Sequence, residues 1–274
     1  MNDPNQNNPT YEFFPPRGDS IFSPFLSNTL PANLFPLAFL LPSGRIFLQA
    51  NWASIILDYN IQAEIQLHSM LDAVRTYPAS AGTVMLPMTP ANNWTATILF
   101  CGGSNVTTPQ WSDPTFIAIQ QKAATSCVRI TPDVSSSYER DDPLPDGRTM
   151  ANLILLPDGT IFCTNGAKFG ELCFFSQVIS HDTLALGTAG YGNNSWAIGQ
   201  SYADEPQLMP LIFNSSALQG ERWSSEGFSR SEIPRMYHSS ALLLPDGICV
   251  LYSMLLSRTH MTLFRLCSYC RLES

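Results

Sequence analysis

A tyrosine and a histidine stand side by side at positions 237 and 238, inside IPRMYHSSALLLPDG (233–247), just ahead of an apolar run. Imidazole nitrogen is a ligand for several transition metals. A phenol beside a divalent cation loses its proton well below its free value of about 10. Tyr237 could therefore be a metal ligand and a proton acceptor, with His238 a nitrogen ligand beside it. The same dipeptide could equally be two ordinary strand residues, and composition does not separate the two readings.

Other reactive side chains form weaker patterns. His68, His181 and His260 have no partner at metal-binding spacing and read as loop or surface histidines. Cys267-Ser-Tyr-Cys270 has C-x-x-C spacing, but a structural zinc needs four ligands and no second pair is near. The acidic run from Glu139 to Asp142 ahead of Pro143 reads as a solvated loop, and Arg17-Gly18-Asp19 as a turn without adhesive function.

The elements that must position Tyr237 and His238 come from a repeat. An apolar run, a Pro-Asp-Gly-like turn and a second apolar run recur as FLLPSGRIFLQA (39–50), LILLPDGTIFCTNG (153–166) and ALLLPDGICVLYS (241–253). A looser copy with a longer turn and a Gly-Gly end is TVMLPMTPANNWTATILFCGGSN (83–105). Proline sets φ and glycine accepts positive φ, so each copy predicts a β-hairpin. Arg75-Thr-Tyr77, Arg148-Thr-Met150 and Arg235-Met-Tyr237 each lie about ten residues ahead of a turn proline. SIILDY (54–59) and PLIFN (210–214) follow as candidate outer strands. Repeated four-strand units with glycine-rich strand ends predict propeller blades. Unrelated hairpins in a β-sandwich are the competing arrangement.

The 274 residues are 45% hydrophobic and 13% charged, a globular composition. A net charge of -8 without any basic run disfavours nucleic acid and anionic membrane as partners. No apolar run reaches the roughly 18 residues needed to span a bilayer, and the polar start MNDPNQNNPT is not a secretory signal. Seven cysteines leave at least one outside any disulfide set. N-x-S/T sequons at Asn93, Asn105, Asn193 and Asn214 are about what chance supplies, and only hint at a secreted history.

Several segments together resemble the glyoxal oxidases, relatives of galactose oxidase. They are TYEFFPPR (10–17), SIILDY, RTYPASAGTVMLP (75–87), ILFCGGS (98–104), DGRTMANLILLPDG (146–159), TNGAKFG (164–170) and IPRMYHSSALLLPDG. The resemblance implies an all-β, kelch-like β-propeller of seven blades holding one copper ion. It implies ligation by two tyrosines and two histidines, one tyrosine being thioether-linked to a cysteine and carrying a radical. The implied reaction takes two electrons and two protons from a small aldehyde hydrate or primary alcohol and reduces O2 to hydrogen peroxide. Tyr237 and His238 match the family's adjacent Tyr-His ligands, with Tyr237 as the base that takes the substrate proton. The resemblance also implies a Cys101–Cys127 disulfide and an extracellular setting, although the chain shows no signal peptide.

The expected organisation is a polar lead (1–9), propeller blades (10–250) and a divergent tail (251–274), amounting to about four to five of the seven blades. The thioether pair and the second histidine have no match in the chain. The expectation is therefore a central part of a copper-radical oxidase, incomplete and inactive as it stands. The rival reading is a non-catalytic propeller remnant that binds carbohydrate or protein.

Overall fold

A computed structural model describes residues 5–111, 121–170, 203–236, 239–253 and 260–265. Strands β1 (Thr10–Tyr11) and β2 (Ile21–Phe22) pair as a short ribbon, followed by the five-residue helix α1 (Pro24–Asn28). Strands β3 (Leu37–Leu40), β4 (Ile46–Ala50), β5 (Ala53–Asp58) and β6 (Ala63–Gln66) form the first antiparallel meander. The second is built from β7 (Gly82–Met85), β8 (Ile98–Cys101), β9 (Cys127–Ile130) and β10 (Glu139–Asp141).

The third sheet opens with β11 (Asn152–Leu155) and β12 (Ile161–Thr164). A separate ribbon of β13 (Ala167–Gly170) and β14 (Ala203–Pro206) interrupts it. Strands β15 (Leu211–Phe213) and β16 (Trp223–Ser224) then complete it in the order β11-β12-β15-β16. A fourth sheet joins β17 (Ser240–Leu243), β18 (Ile248–Ser253) and β19 (His260–Arg265). Strand β19, from the divergent segment, pairs with β18 over the six residue pairs from Ile248↔Arg265 to Ser253↔His260.

The repeated hairpins have one construction. Gly44, Gly159 and Gly247 donate to the carbonyls of Leu41, Leu156 and Leu244 at 2.9, 3.0 and 3.0 Å. All three have φ between 77° and 85°, where glycine carries no steric penalty. In the third sheet Asp158 Oδ1 accepts from the Thr160 amide at 2.9 Å, and in the fourth Asp246 Oδ1 accepts from the Ile248 amide at 3.1 Å. The Pro-Asp-Gly motif is thus a turn whose aspartate caps the returning strand.

The meanders stack face to face, as alternation along the second strands shows. On β8, Ile98 and Phe100 join Phe47 and Ile56 of the first sheet in one core. Leu99 and Cys101 point the other way, into a core shared with Ile161, Cys163, Leu211 and Phe213 of the third sheet. On β12, Phe162 turns from that core to meet Cys249 and Leu251 of the fourth sheet. A strand with period-two side chains that is buried on every residue must lie between two layers. Each fully buried leucine, isoleucine or phenylalanine contributes roughly 1.5–3 kcal/mol. The outer face of the first sheet is covered by α1, whose Phe25 packs on Ala50, Ile55 and Leu57. Glu64 on β6 holds that helix in place, accepting from Ser23 Oγ at 2.5 Å and the Phe25 amide at 2.8 Å.

Sequential four-stranded meanders stacked through alternating cores are kelch-like propeller blades, and the described residues hold three of them together with a fourth, three-stranded sheet. No helix among the described residues is long and apolar enough to cross a membrane.

The acidic run departs from its sequence reading. It is not a solvated loop: Glu139–Asp141 is β10, and Asp141 and Asp142 are buried. Arg222 Nη1 sits 2.5 Å from Asp141 Oδ1, and Arg129 Nη1 lies 3.4 Å from Oδ2. Asp142 Oδ2 accepts from the Gly220 and Arg222 amides at 2.7 and 3.1 Å. The two carboxylates tie the second sheet to the third. Their partner Arg222 is about eighty residues away in sequence, so local pattern could not supply it.

The Cys101–Cys127 disulfide implied by the resemblance is present, joining paired positions of β8 and β9. Among the described residues, Cys163 and Cys249 are free and buried. Burial pushes both thiols up, Cys249 to about 11. At pH 8 about one Cys249 in 10³ is then thiolate, which is the nucleophilic form. In the folded chain a brief iodoacetamide pulse followed by peptide mass mapping should leave both unlabelled, and both should label in 6 M guanidinium. Rapid native labelling at Cys163 would contradict its place in the core between the second and third sheets.

Candidate functional site

All four sheets present one end at which the first strand begins and the second finishes. The three arginines of the sequence repeat converge on this end, and each is buried. Arg75 lies just ahead of β7. Its Nη1 donates to the Gly102 carbonyl, just past β8, and to the Ser126 carbonyl just ahead of β9 at 2.8 Å. Nη2 donates to Ser126 Oγ at 3.0 Å and to the Leu71 carbonyl at 3.2 Å. Arg148, ahead of β11, repeats the construction in the third sheet. It donates to Asn165 O just past β12 at 3.0 Å and to Met209 O ahead of β15 at 2.9 Å.

Each planar guanidinium therefore staples the start of one blade to carbonyls at the ends of its second and third strands. Burial lowers the Arg75 guanidinium to about 10, with the Asp72 carboxylate opposing that shift, so it remains charged at neutral pH. Burial likewise lowers Arg235, whose Nη1 donates to Ser231 Oγ at 3.0 Å and Ile233 O at 3.1 Å.

The residue after each arginine links neighbouring blades. Thr76 Oγ1 donates to Ala32 O at 3.2 Å and accepts from the Asn51 amide at 3.0 Å, reaching the first sheet. Thr149 Oγ1 donates to Ala79 O, ahead of the second sheet. Met236 replaces the hydroxyl with an apolar contact and is buried against Met150, Ala167 and Ala203. At the third position, Tyr77 is half-buried with its ring edge-on to Phe35 at 5.4 Å, and Met150 is buried with φ of 56°. Tyr237 is the third member of this series.

Tyr237 and His238 themselves lie outside the described residues. The flanking residues are described: the Ser239 amide and Oγ donate to Met236 O at 3.3 and 2.7 Å. Among the described residues no group of three or more His, Cys, Asp and Glu could hold a metal. His68 is an exposed loop histidine whose Nδ1 lies 3.0 Å from Ser136 Oγ and 3.2 Å from Ser137 Oγ. His181, Cys267 and Cys270 fall outside the described residues. What sequence reading missed was the job of the arginines. Their recurrence was visible, but the carbonyls they reach belong to strands up to 61 residues away.

The described blades make the chain an all-β protein of propeller type. The family described as glyoxal oxidase N-terminus matches residues 5–181, more than half of the chain. The chain belongs to the glyoxal oxidase family, whose members are copper-radical oxidases related to galactose oxidase.

Among curated proteins it is 29% identical over 246 residues to the aldehyde oxidase GLOX of Vitis pseudoreticulata, covering 86% of this chain and 40% of that one. It is 29% identical over 225 residues to the aldehyde oxidase GLOX1 of Arabidopsis thaliana, covering 78% and 31%. A WSC domain-containing protein of Arthroderma benhamiae is 30% identical over 246 residues, covering 87% and 22%. The chain thus spans two fifths or less of the length of these relatives. A solved structure of a fungal alcohol oxidase of the AA5 family in complex with copper superposes with a TM-score of 0.42 at 13% identity, over 81% of this chain and 49% of that one.

Proposed function

We propose that this chain forms part of a glyoxal oxidase-type copper-radical oxidase, acting on small aldehydes or primary alcohols with O2 as oxidant and hydrogen peroxide as product. Tyr237 and His238 are its contribution to the copper site. The observation that carries the reading is the position of the dipeptide. It follows directly on Arg235 and Met236, both buried at the end of the sheets where two further arginines staple the preceding blades. Ligands that must not move are best placed on rigid, buried backbone.

The donor set fits copper by its chemistry, one phenol oxygen and one imidazole nitrogen. When bound, copper supplies one-electron redox capacity and lowers the proton affinity of a phenol beside it. Tyr237 then accepts the substrate hydroxyl proton at its phenolate oxygen, while His238 contributes a neutral ring nitrogen. Arg235 and Met236 orient the pair. An extracellular setting accords with the Cys101–Cys127 disulfide, since such bonds persist in oxidising compartments.

Two donors are half of the set the family resemblance implies, and we take the 274-residue chain by itself to be catalytically silent. Equilibrium dialysis against copper, after a mild chelator wash, tests both parts. Substoichiometric, weak binding that drops further in His238→Ala and Tyr237→Phe is expected, with no peroxide from glyoxal or methylglyoxal. Copper uptake unchanged in both variants would remove the assignment of the ligands. Sustained turnover by the unmodified chain would overturn its proposed silence.

A further inference from the structure

We propose that Asn93 and Asn214 are N-glycan acceptors on the end of the blades opposite the arginines. Both head N-x-S/T sequons, Asn93-Trp94-Thr95 and Asn214-Ser215-Ser216, and both are exposed. A sequon alone is a weak signal. Two structural observations raise it.

The first is place. The last residue pair of β7 and β8 is Met85↔Ile98, so Asn93 lies in the turn beyond it, where the other sheets carry their Pro-Asp-Gly turns. Strand β15 pairs Phe213 with Ile161, two residues after the Gly159 turn, so Asn214 emerges at the same end of the third sheet. Neither asparagine sits in a strand, and neither side-chain Nδ2 donates to a protein group among the described residues. Asn214 Oδ1 accepts from the Ser216 amide at 2.9 Å, which folds the exposed sequon into a compact turn. Asn92 and Thr95, on either side of the Asn93-Trp94 pair, line an open cleft of about 370 Å³ with Thr97, Thr131, Ser135 and Ser137. Those hydroxyls offer hydrogen bonds to the first sugars of a glycan.

The second observation is compartment. The Cys101–Cys127 disulfide joins two strands inside a core, and such a bond forms and persists in an oxidising compartment. N-linked glycans are attached in the same compartment. In the transfer, the asparagine Nδ2 attacks the anomeric carbon of an oligosaccharide carried on a lipid pyrophosphate. A C–N bond forms, the C–O bond to pyrophosphate breaks, the amide loses one proton, and the lipid pyrophosphate leaves. No electrons are exchanged.

The test is the full 274-residue chain directed into the secretory route of a eukaryotic host. The readouts are gel mobility before and after peptide-N-glycosidase and peptide mapping of the asparagine-to-aspartate conversion. Asn93→Gln and Asn214→Gln should each remove one mobility step, and the double variant should remove both. Transfer takes place on the nascent chain, so a variant that folds poorly still reports its occupancy. An unmodified asparagine at either position in the parent protein would overturn the proposal.

Discussion

Gly102→Ala is expected to destabilise the chain by about 3–5 kcal/mol, enough to unfold a domain of ordinary stability. Two effects act on one atom. Gly102 has φ of 86°, where a side chain costs about 1 kcal/mol or more. A Cβ there would also lie well inside van der Waals contact of the Arg148 carbonyl oxygen. That oxygen cannot move aside, because it accepts from the Gly103 amide at 2.9 Å while the Arg148 side chain is bound to carbonyls flanking two strands of the third sheet. The Gly102 carbonyl in turn accepts from Arg75, so any local shift loosens two blades together. Gly44→Ala is the matched comparison: its φ is 78° with nothing within 4 Å of the added carbon, so only the backbone term of about 1 kcal/mol remains. Urea midpoints of the two variants separate the terms, and equal shifts would show that the blade ends are not in contact.

Arg75→Met should cost a similar amount, about 3–5 kcal/mol. Methionine keeps most of the volume and removes the charge, so packing changes little. It leaves the Gly102 carbonyl without its guanidinium donor, at about 1–3 kcal/mol for a buried unsatisfied group. It also strips the Ser126 carbonyl and Oγ and the Leu71 carbonyl of a charged donor, although the Ser126 carbonyl keeps the Gly102 amide. Arg75→Lys should fall between, because an ammonium cannot span the acceptors that the fork reaches together. Thermal melting of the three proteins gives the order parent, lysine, methionine. A methionine variant as stable as the parent would mean that the arginine fills space without bonding.

Relatives spanning the same blades make a comparison possible across the family, since the two staples use only backbone acceptors apart from Ser126 Oγ and Leu71 O is also main chain. Backbone acceptors survive sequence change in the strands that carry them. The guanidinium itself has no such freedom, which accounts for Arg75 and Arg148 recurring at one register while the strands around them differ.

The local alphabet of the fold was legible in the sequence. LPSG and LPDG placed three hairpins, and the looser copy at 83–105 placed the fourth. SIILDY and PLIFN, expected as outer strands, are strands as expected but hold the third place, with a neighbour on each side. These features are short-range: proline, aspartate and glycine act on their own few dihedrals, so their effect is written where they stand. The family, too, was legible, because motifs such as DGRTMANLILLPDG keep several such local signals in a row.

Tertiary structure alone decided the rest. That β8 lies between two cores depends on what stacks against each face, and a uniformly apolar strand such as ILFC does not say which neighbours it has. Asp141 and Asp142 looked like surface charges until the next blade brought the Arg222 guanidinium to Asp141 and the Gly220 and Arg222 amides to Asp142 in the interior. The buried arginines looked like a recurring spacing until their acceptors, flanking two strands of each sheet, came within reach of one planar group. Burial and pairing of charge are properties of positions brought together by folding, and no stretch of chain carries them by itself.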